Sequence, residues 1–330
     1  MLGITRAWMM AFVALAAWPV SQSAPGALRP AGSIPLPDVE GRIDHLGVDL
    51  TGKRLFVAAL GNNTLETVDV TGLRVIKSVG GLHEPQGIRY LPESRRIVVA
   101  NGGDGAVVFF DGSTFAIAAT AKLSGDADNV RDDAKAGRVY VGYGSGALAV
   151  LDTNGKVLGD IRLSGHPESF QLEAGGPRIF VNVPSAGQIA VVDRDKRAVT
   201  ATWPVSEARA NYPMALDESR HRLFVGCRSP ARMLVYDTES GKMISSVNIV
   251  GDTDDLFYDA AKKRLYVIGG GGFITVIEQQ DADHYRTIQS LATAPGARTG
   301  LFVPELGQLF VAVPHRGAQR TEVRVYAVAN

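Results

Sequence analysis

Hydrophobic and polar positions along this chain recur as a unit. Six segments begin with arginine and continue as two or three strand-forming residues ending in valine: Arg54-Leu55-Phe56-Val57, Arg96-Ile97-Val98-Val99, Arg138-Val139-Tyr140-Val141, Arg178-Ile179-Phe180-Val181, Arg222-Leu223-Phe224-Val225 and Arg264-Leu265-Tyr266-Val267. Gln308-Leu309-Phe310-Val311 is the seventh, and successive segments start 40 to 44 residues apart. Each is preceded by a turn such as Leu50-Thr51-Gly52-Lys53 and followed by a Gly-rich or polar turn such as Gly61-Asn62-Asn63. A further apolar run then ends in an acid, as in Val68-Asp69, Phe110-Asp111, Leu151-Asp152, Val192-Asp193, Tyr236-Asp237 and Ile277-Glu278. A fourth strand-like stretch closes the unit, for example Val75-Ile76-Lys77-Ser78-Val79. The runs are rich in Val, Ile, Phe and Tyr and alternate only partly, as expected of sheets covered on both faces.

A period near 42 residues filled with strands and turns predicts an all-β fold: a seven-bladed β-propeller with four-stranded antiparallel blades. The last repeat runs out after its third strand, Glu322 to Ala327. The segment Gly32-Ser33-Ile34-Pro35-Leu36 is the candidate for the missing fourth, so that the N-terminal strand joins the C-terminal blade and closes the ring. Pro35, which has no N–H, suits an outermost strand.

The phrases Thr51-Gly52-Lys53-Arg54-Leu55-Phe56-Val57 and Arg96-Ile97-Val98-Val99-Ala100-Asn101 resemble the YVTN repeat of the YncE-like family of secreted bacterial propellers. The resemblance covers essentially the whole chain beyond its first segment. It implies the propeller fold and export; its motif is structural and names no catalytic centre.

Composition narrows the class further. Arg6 precedes the apolar run from Ala7 to Val20 and the small-residue stretch Ser21-Gln22-Ser23-Ala24, which reads as a signal peptide over residues 1–23 and a periplasmic or secreted location. One propeller domain is expected over 24–330. The chain carries 34 basic and 34 acidic residues, so no overall field draws it to nucleic acid. No other apolar run approaches 18 residues, so no membrane insertion is expected, and the ring is read as a monomer. Cys227 is the only cysteine and has no intramolecular disulfide partner.

Chemistry is expected where inner strands enter the ring, because those positions converge on one axis. Ten residues before each repeated anchor stand Asp44, Gln86, Asp128, Glu168, Tyr212, Asp254 and Arg298. The next position gives His45, Gly87, Asn129, Ser169, Pro213, Asp255 and Thr299. The predicted ligand-binding funnel is therefore Asp44, His45, Gln86, Asp128, Asn129, Glu168, Tyr212, Asp254, Asp255 and Arg298, with five carboxylates opposed by one arginine. Crowded carboxylates raise one another's pKa or recruit a cation. A divalent cation in the funnel is one possibility, with His45, His83 and Asp44 as transition-metal ligands, or Asp126-Ala127-Asp128-Asn129 and Asp252-Thr253-Asp254-Asp255 as oxygen donors for calcium. The repeated arginines fall on the opposite mouth, which suggests turn-stabilising or blade-bridging roles.

Two functions fit these observations. One is an exported binding or scaffold protein whose funnel takes a small polar ligand, a cation or an envelope protein partner. The other is a lactonase-like hydrolase, since some propellers resembling this one open sugar lactones. Asp44, Asp128, Glu168 or Asp254 would then be the general base, and Arg298 or His45 would steady the oxyanion.

Overall fold

The computed structural model describes residues 26–329; the segment read as a signal peptide, 1–23, lies outside the described residues. Among them, 28 strands form seven four-stranded antiparallel sheets arranged as blades of a ring. Blade 1 is built from Leu46–Asp49, Arg54–Ala59, Thr64–Asp69 and Arg74–Val79, in spatial order from the axis outward. Blades 2 to 6 repeat that order, with second strands starting at Arg96, Arg138, Arg178, Arg222 and Arg264. No helix among the described residues is long and apolar enough to cross a membrane.

The near-continuous apolar pattern of the second strands follows from packing on both faces. In blade 1, Leu55 and Val57 pack back into a buried cluster shared with blade 7, while Phe56 and Ala58 pack forward into one shared with blade 2. The third position of the repeat behaves the same way in every blade: Phe56, Val98, Tyr140, Phe180, Phe224, Tyr266 and Phe310 all belong to the cluster on the side of the following blade. Seven such clusters fill the seven interfaces, so the hydrophobic core is a circle of wedges. Burial of each aromatic contributes about 2–3 kcal/mol before entropy is counted.

Ring closure uses the N-terminal strand. Leu28–Pro35 pairs antiparallel with Glu322–Val328, from Leu28 opposite Val328 to Pro35 opposite Glu322. The strand starts four residues earlier than the predicted Gly32. Its register shifts between Pro30 and Gly32, a bulge that accommodates a proline on the outermost edge. Its first residue is clamped from blade 6, where the Gln289 side chain accepts from Leu28 N at 2.8 Å and donates to Leu28 O at 2.9 Å.

The repeated charged residues stitch the far mouth. Arg54 donates to the Gly112 carbonyl of blade 2, Arg178 to Thr238, Arg222 to Ala282 and Arg264 to Ala329, each reaching the following blade. Arg96 stays within its own blade on Asp111, and Arg138 bonds the Gly137 carbonyl. The acids ending the third strands accept N–H groups of the turns that follow, as Asp111 does from Ser113 and Thr114 and Asp237 from Glu239 and Ser240. These acids are turn caps. Cys227 is buried, and burial pushes its thiol up to about 12, which keeps it unreactive.

Replacing Ile34, fully buried in the closing strand, by alanine is expected to lower the unfolding free energy by about 2–5 kcal/mol. Ile76→Ala, on an outer strand where the side chain is exposed, is expected to stay within about 0.5 kcal/mol of the parent. Urea denaturation of both variants measures the difference; equal losses would contradict closure by this strand.

Candidate functional site: the axial funnel

Each inner strand begins with an irregularity that turns its first side chains toward the axis. In blades 2, 5 and 6 the register with the second strand shifts between Pro85 and Ile88, Asn211 and Met214, and Thr253 and Asp255. Gln86, Tyr212 and Asp254 lie inside those bulges, which re-aim side chains that regular pleating would alternate. In blades 1, 3 and 4 the same points are held by paired backbone bonds outside the regular strand. Asp44 N reaches the Ala58 carbonyl at 2.8 Å, Asp128 N reaches Gly142 at 2.9 Å and Glu168 N reaches Asn182 at 3.0 Å.

The result is a polar cavity of about 310 Å³ on the axis. Nine of the ten predicted funnel residues line it: Asp44, His45, Gln86, Asp128, Asn129, Glu168, Tyr212, Asp254 and Arg298. Asp255 lies one layer deeper, where its carboxylate faces His45 Nδ1 at 3.5 Å. Ser169 and His166 also line the cavity.

Two guanidiniums beyond the one expected change its charge. Arg42, two residues ahead of Asp44, pairs with it at 2.8 Å. Arg228 comes from the end of the blade 5 second strand, Arg222–Ser229, which runs two residues longer than its counterpart in blade 6. Its guanidinium pairs with Asp254 at 2.6 Å and lies 3.7 Å from the Tyr212 ring centroid. Arg298 holds the other Asp254 oxygen at 2.9 Å and reaches Asp252 at 3.2 Å. Counting back along inner strands finds Arg298 and misses Arg228, because Arg228 arrives from a different strand.

The proposed metal set does not assemble. His83 is exposed and is not among the residues lining the funnel, because its loop is tied outward, with His83 N bonded to the Asn101 side chain. Among the described residues no group of three or more His, Cys, Asp or Glu side chains is arranged to hold a metal ion. The acid runs considered for calcium are engaged by protein side chains: Asp126 faces the His166 ring at 3.5 Å, and Asp252 and Asp254 are held by the arginines. His315 pairs with Glu40 at 3.0 Å on the closing seam, away from the funnel.

His45 plugs the funnel floor. Its Nε2 stands 3.7 Å from Asp44 and 3.8 Å from Asp128. Burial alone would lower its pKa, but the carboxylates of Asp255, Asp44 and Asp128 outweigh burial and raise it to about 10, so the ring is an imidazolium at neutral pH. Asp128 is pushed up to about 8, first by burial and then by Asp44, Glu168 and Asp254, with His45 offsetting part of the rise. Glu168 is raised to about 7 by burial and by Asp254, against the pull of Arg228. Burial and Asp44 raise Asp254 as well, despite its two guanidiniums.

The acids therefore divide into two kinds. Asp44 and Asp254 are neutralised by arginine. Asp128 and Glu168 have no guanidinium partner, and the buried oxygens Asp128 Oδ1 and Asn129 Oδ1 accept no hydrogen bond. A buried acceptor left unpaired costs about 1–3 kcal/mol. Chemically the floor offers two carboxyls, Asp128 and Glu168, that hold protons into the neutral range.

No family model and no curated protein matches the chain. Among solved structures, a chain in the crystal structure of the mitotic checkpoint complex is similar over 99% of both chains, with a TM-score of 0.77 and 12% identity. A likeness at that identity concerns the fold alone, so the site rests on its own chemistry, which is testable by titration. The folded protein retains protons on Asp128, Glu168 and His45 at pH values where an unfolded chain has released them. Their stabilising contribution is full at low pH and is lost as pH rises, through about 8 for Asp128, about 7 for Glu168 and about 10 for His45. The thermal midpoint is expected to fall from pH 5 to pH 9 at constant ionic strength, and Asp128→Asn is expected to flatten the fall. A midpoint that climbs across this window would contradict the assignment.

Proposed function

We propose that this propeller is an exported binding protein whose funnel takes a small, cationic, donor-rich molecule. One observation carries the reading: the Asp128 and Glu168 carboxyls line the cavity and no guanidinium pairs with either. An ammonium or clustered hydroxyl donors landing there would make charge-assisted hydrogen bonds to those carboxyls. A cavity of about 310 Å³ admits a small molecule. Anions are disfavoured, because the three funnel arginines are already committed to Asp44, Asp252 and Asp254. Backbone bonds from Asp128 N to Gly142 and from Glu168 N to Asn182 hold these groups at the strand ends, so little reorganisation is needed on binding.

Calorimetric titration with putrescine, a compact diamine, tests the proposal. Binding is expected to tighten as pH rises from 6 to 9, because Glu168 and Asp128 lose their protons in that range. The double variant Asp128→Asn/Glu168→Gln is expected to weaken binding at least ~10-fold, about 1.4 kcal/mol or more. Binding of equal strength in the double variant would rule out these carboxyls as the ligand's partners.

A second reading is favoured by one observation: a Glu168 carboxyl raised to about 7 is matched to general-base work near neutral pH. In a lactonase-like hydrolase Glu168 would activate water while Arg298 or the His45 imidazolium steadied the oxyanion. Glucono-δ-lactone hydrolysis above the uncatalysed rate, lost by at least ~100-fold in Glu168→Gln, would support the hydrolase. Turnover indistinguishable from buffer leaves binding as the function.

A further inference from the structure

Beneath the His45 plug the axis opens again. His45 also lines a second cavity of about 170 Å³, and Gln171 and Phe257 continue that cavity into a vestibule of about 500 Å³ at the opposite mouth. The side chains here come from the inner-strand position two residues beyond the His45 ring: Arg89, Arg131, Gln171, Ala215, Phe257 and Leu301. The character of the axis changes at this level, from acidic above to basic and then apolar below.

Arg131 stands out in this chamber. A guanidinium presents five N–H donors in a planar fork. Arg131 makes one hydrogen bond, to its neighbouring Val130 carbonyl at 2.9 Å, and lies 5.6 Å from the Phe170 ring centroid. It makes no ion pair among the described residues; burial followed by the charge of Arg89 pulls its pKa down, against the carboxylates of Asp255, Asp128 and Asp132 farther off. The other charged groups around it are occupied. Arg89 pairs with Asp132, and Asp255 accepts from Gly300 N at 2.8 Å while facing His45 at 3.5 Å. A partly buried guanidinium with most of its donors unbonded gains from an acceptor that completes it.

The vestibule next to it supplies apolar surface from Leu216, Leu256, Phe257 and Phe302. We propose that the lower chamber is an anion site for a small monocarboxylate with an apolar body, the carboxylate seated on the Arg131 fork and the body in the vestibule. The planar guanidinium matches a carboxylate in two-point contact. Entry is from the mouth opposite the funnel, since the His45 ring blocks the axis between the two cavities. The site is therefore separate from the funnel in access, with His45 as the wall between the two cavities.

Titration calorimetry of the full chain with benzoate, and with benzamide as its neutral isostere, tests this site. Benzoate is expected to bind at least tenfold more tightly than benzamide, and saturating putrescine is expected to leave benzoate binding unchanged. Arg131→Met is expected to weaken benzoate at least tenfold without lowering the melting temperature, because the guanidinium it removes makes no ion pair and one hydrogen bond, to its neighbour's carbonyl. Equal affinity for benzoate and benzamide, displacement of benzoate by putrescine, or undiminished binding in Arg131→Met would overturn the proposal. Should Arg131→Met fail to fold, the benzoate and benzamide comparison on the parent protein decides the question.

Discussion

Every feature of this molecule depends on seven sheets packing face to face around a closed circle. The constraint is geometric: a sheet covered on both faces needs a neighbour on each side, and only a ring supplies one to every blade. The repeated third residue of each second strand enforces the stacking by always filling the interface ahead, from Phe56 through Phe310. The last interface is completed by Leu28–Pro35, which adds the fourth strand of the final sheet and places Ile34 in the same buried cluster as Val323, Leu55 and Val68. Arginines at the far mouth reinforce the same neighbour-to-neighbour order.

Closure has an electrostatic consequence. It brings Asp44, Asp128, Glu168 and Asp254, from four different blades, to one partly desolvated place. Not all of them can stay charged there. The structure relieves the repulsion in two ways, with guanidiniums on Asp44 and Asp254 and with retained protons on Asp128 and Glu168. His45 joins these groups to Asp255 and separates two chambers of opposite character. The funnel is thus a charge-strained surface on a rigid frame, and that combination favours recognition of a complementary ligand.

Much of this was legible in the chain before any coordinates. The spacing of Arg54, Arg96, Arg138 and their successors reveals blade count, and counting back ten residues locates Asp44, Asp128, Glu168, Asp254 and Arg298 on the axis, because the distance along the chain from the axis to the second-strand anchor is the same in each blade. Arg228 was hidden because it projects from a second strand extended beyond its repeat, and nothing in the local sequence marks that extension. Pairing by sequence also grouped His83 with His45, although loop direction at the blade tip sends His83 outward. The basic level around Arg131 sits in the same register, seven residues before each anchor. What sequence cannot supply there is whether a carboxylate reaches the guanidinium, which depends on side-chain geometry across blades.

The most direct measurement of the central claim is a site-resolved carboxyl titration by carbon-13 NMR, with Asp and Glu labelled and Asp128→Asn and Glu168→Gln used for assignment. The account predicts two carboxyls that keep their protons into the neutral range, Glu168 titrating near 7 and Asp128 near 8. If every Asp and Glu carboxyl instead released its proton below about pH 5, as unperturbed carboxyls do, the acids would not be crowded and buried around one axis.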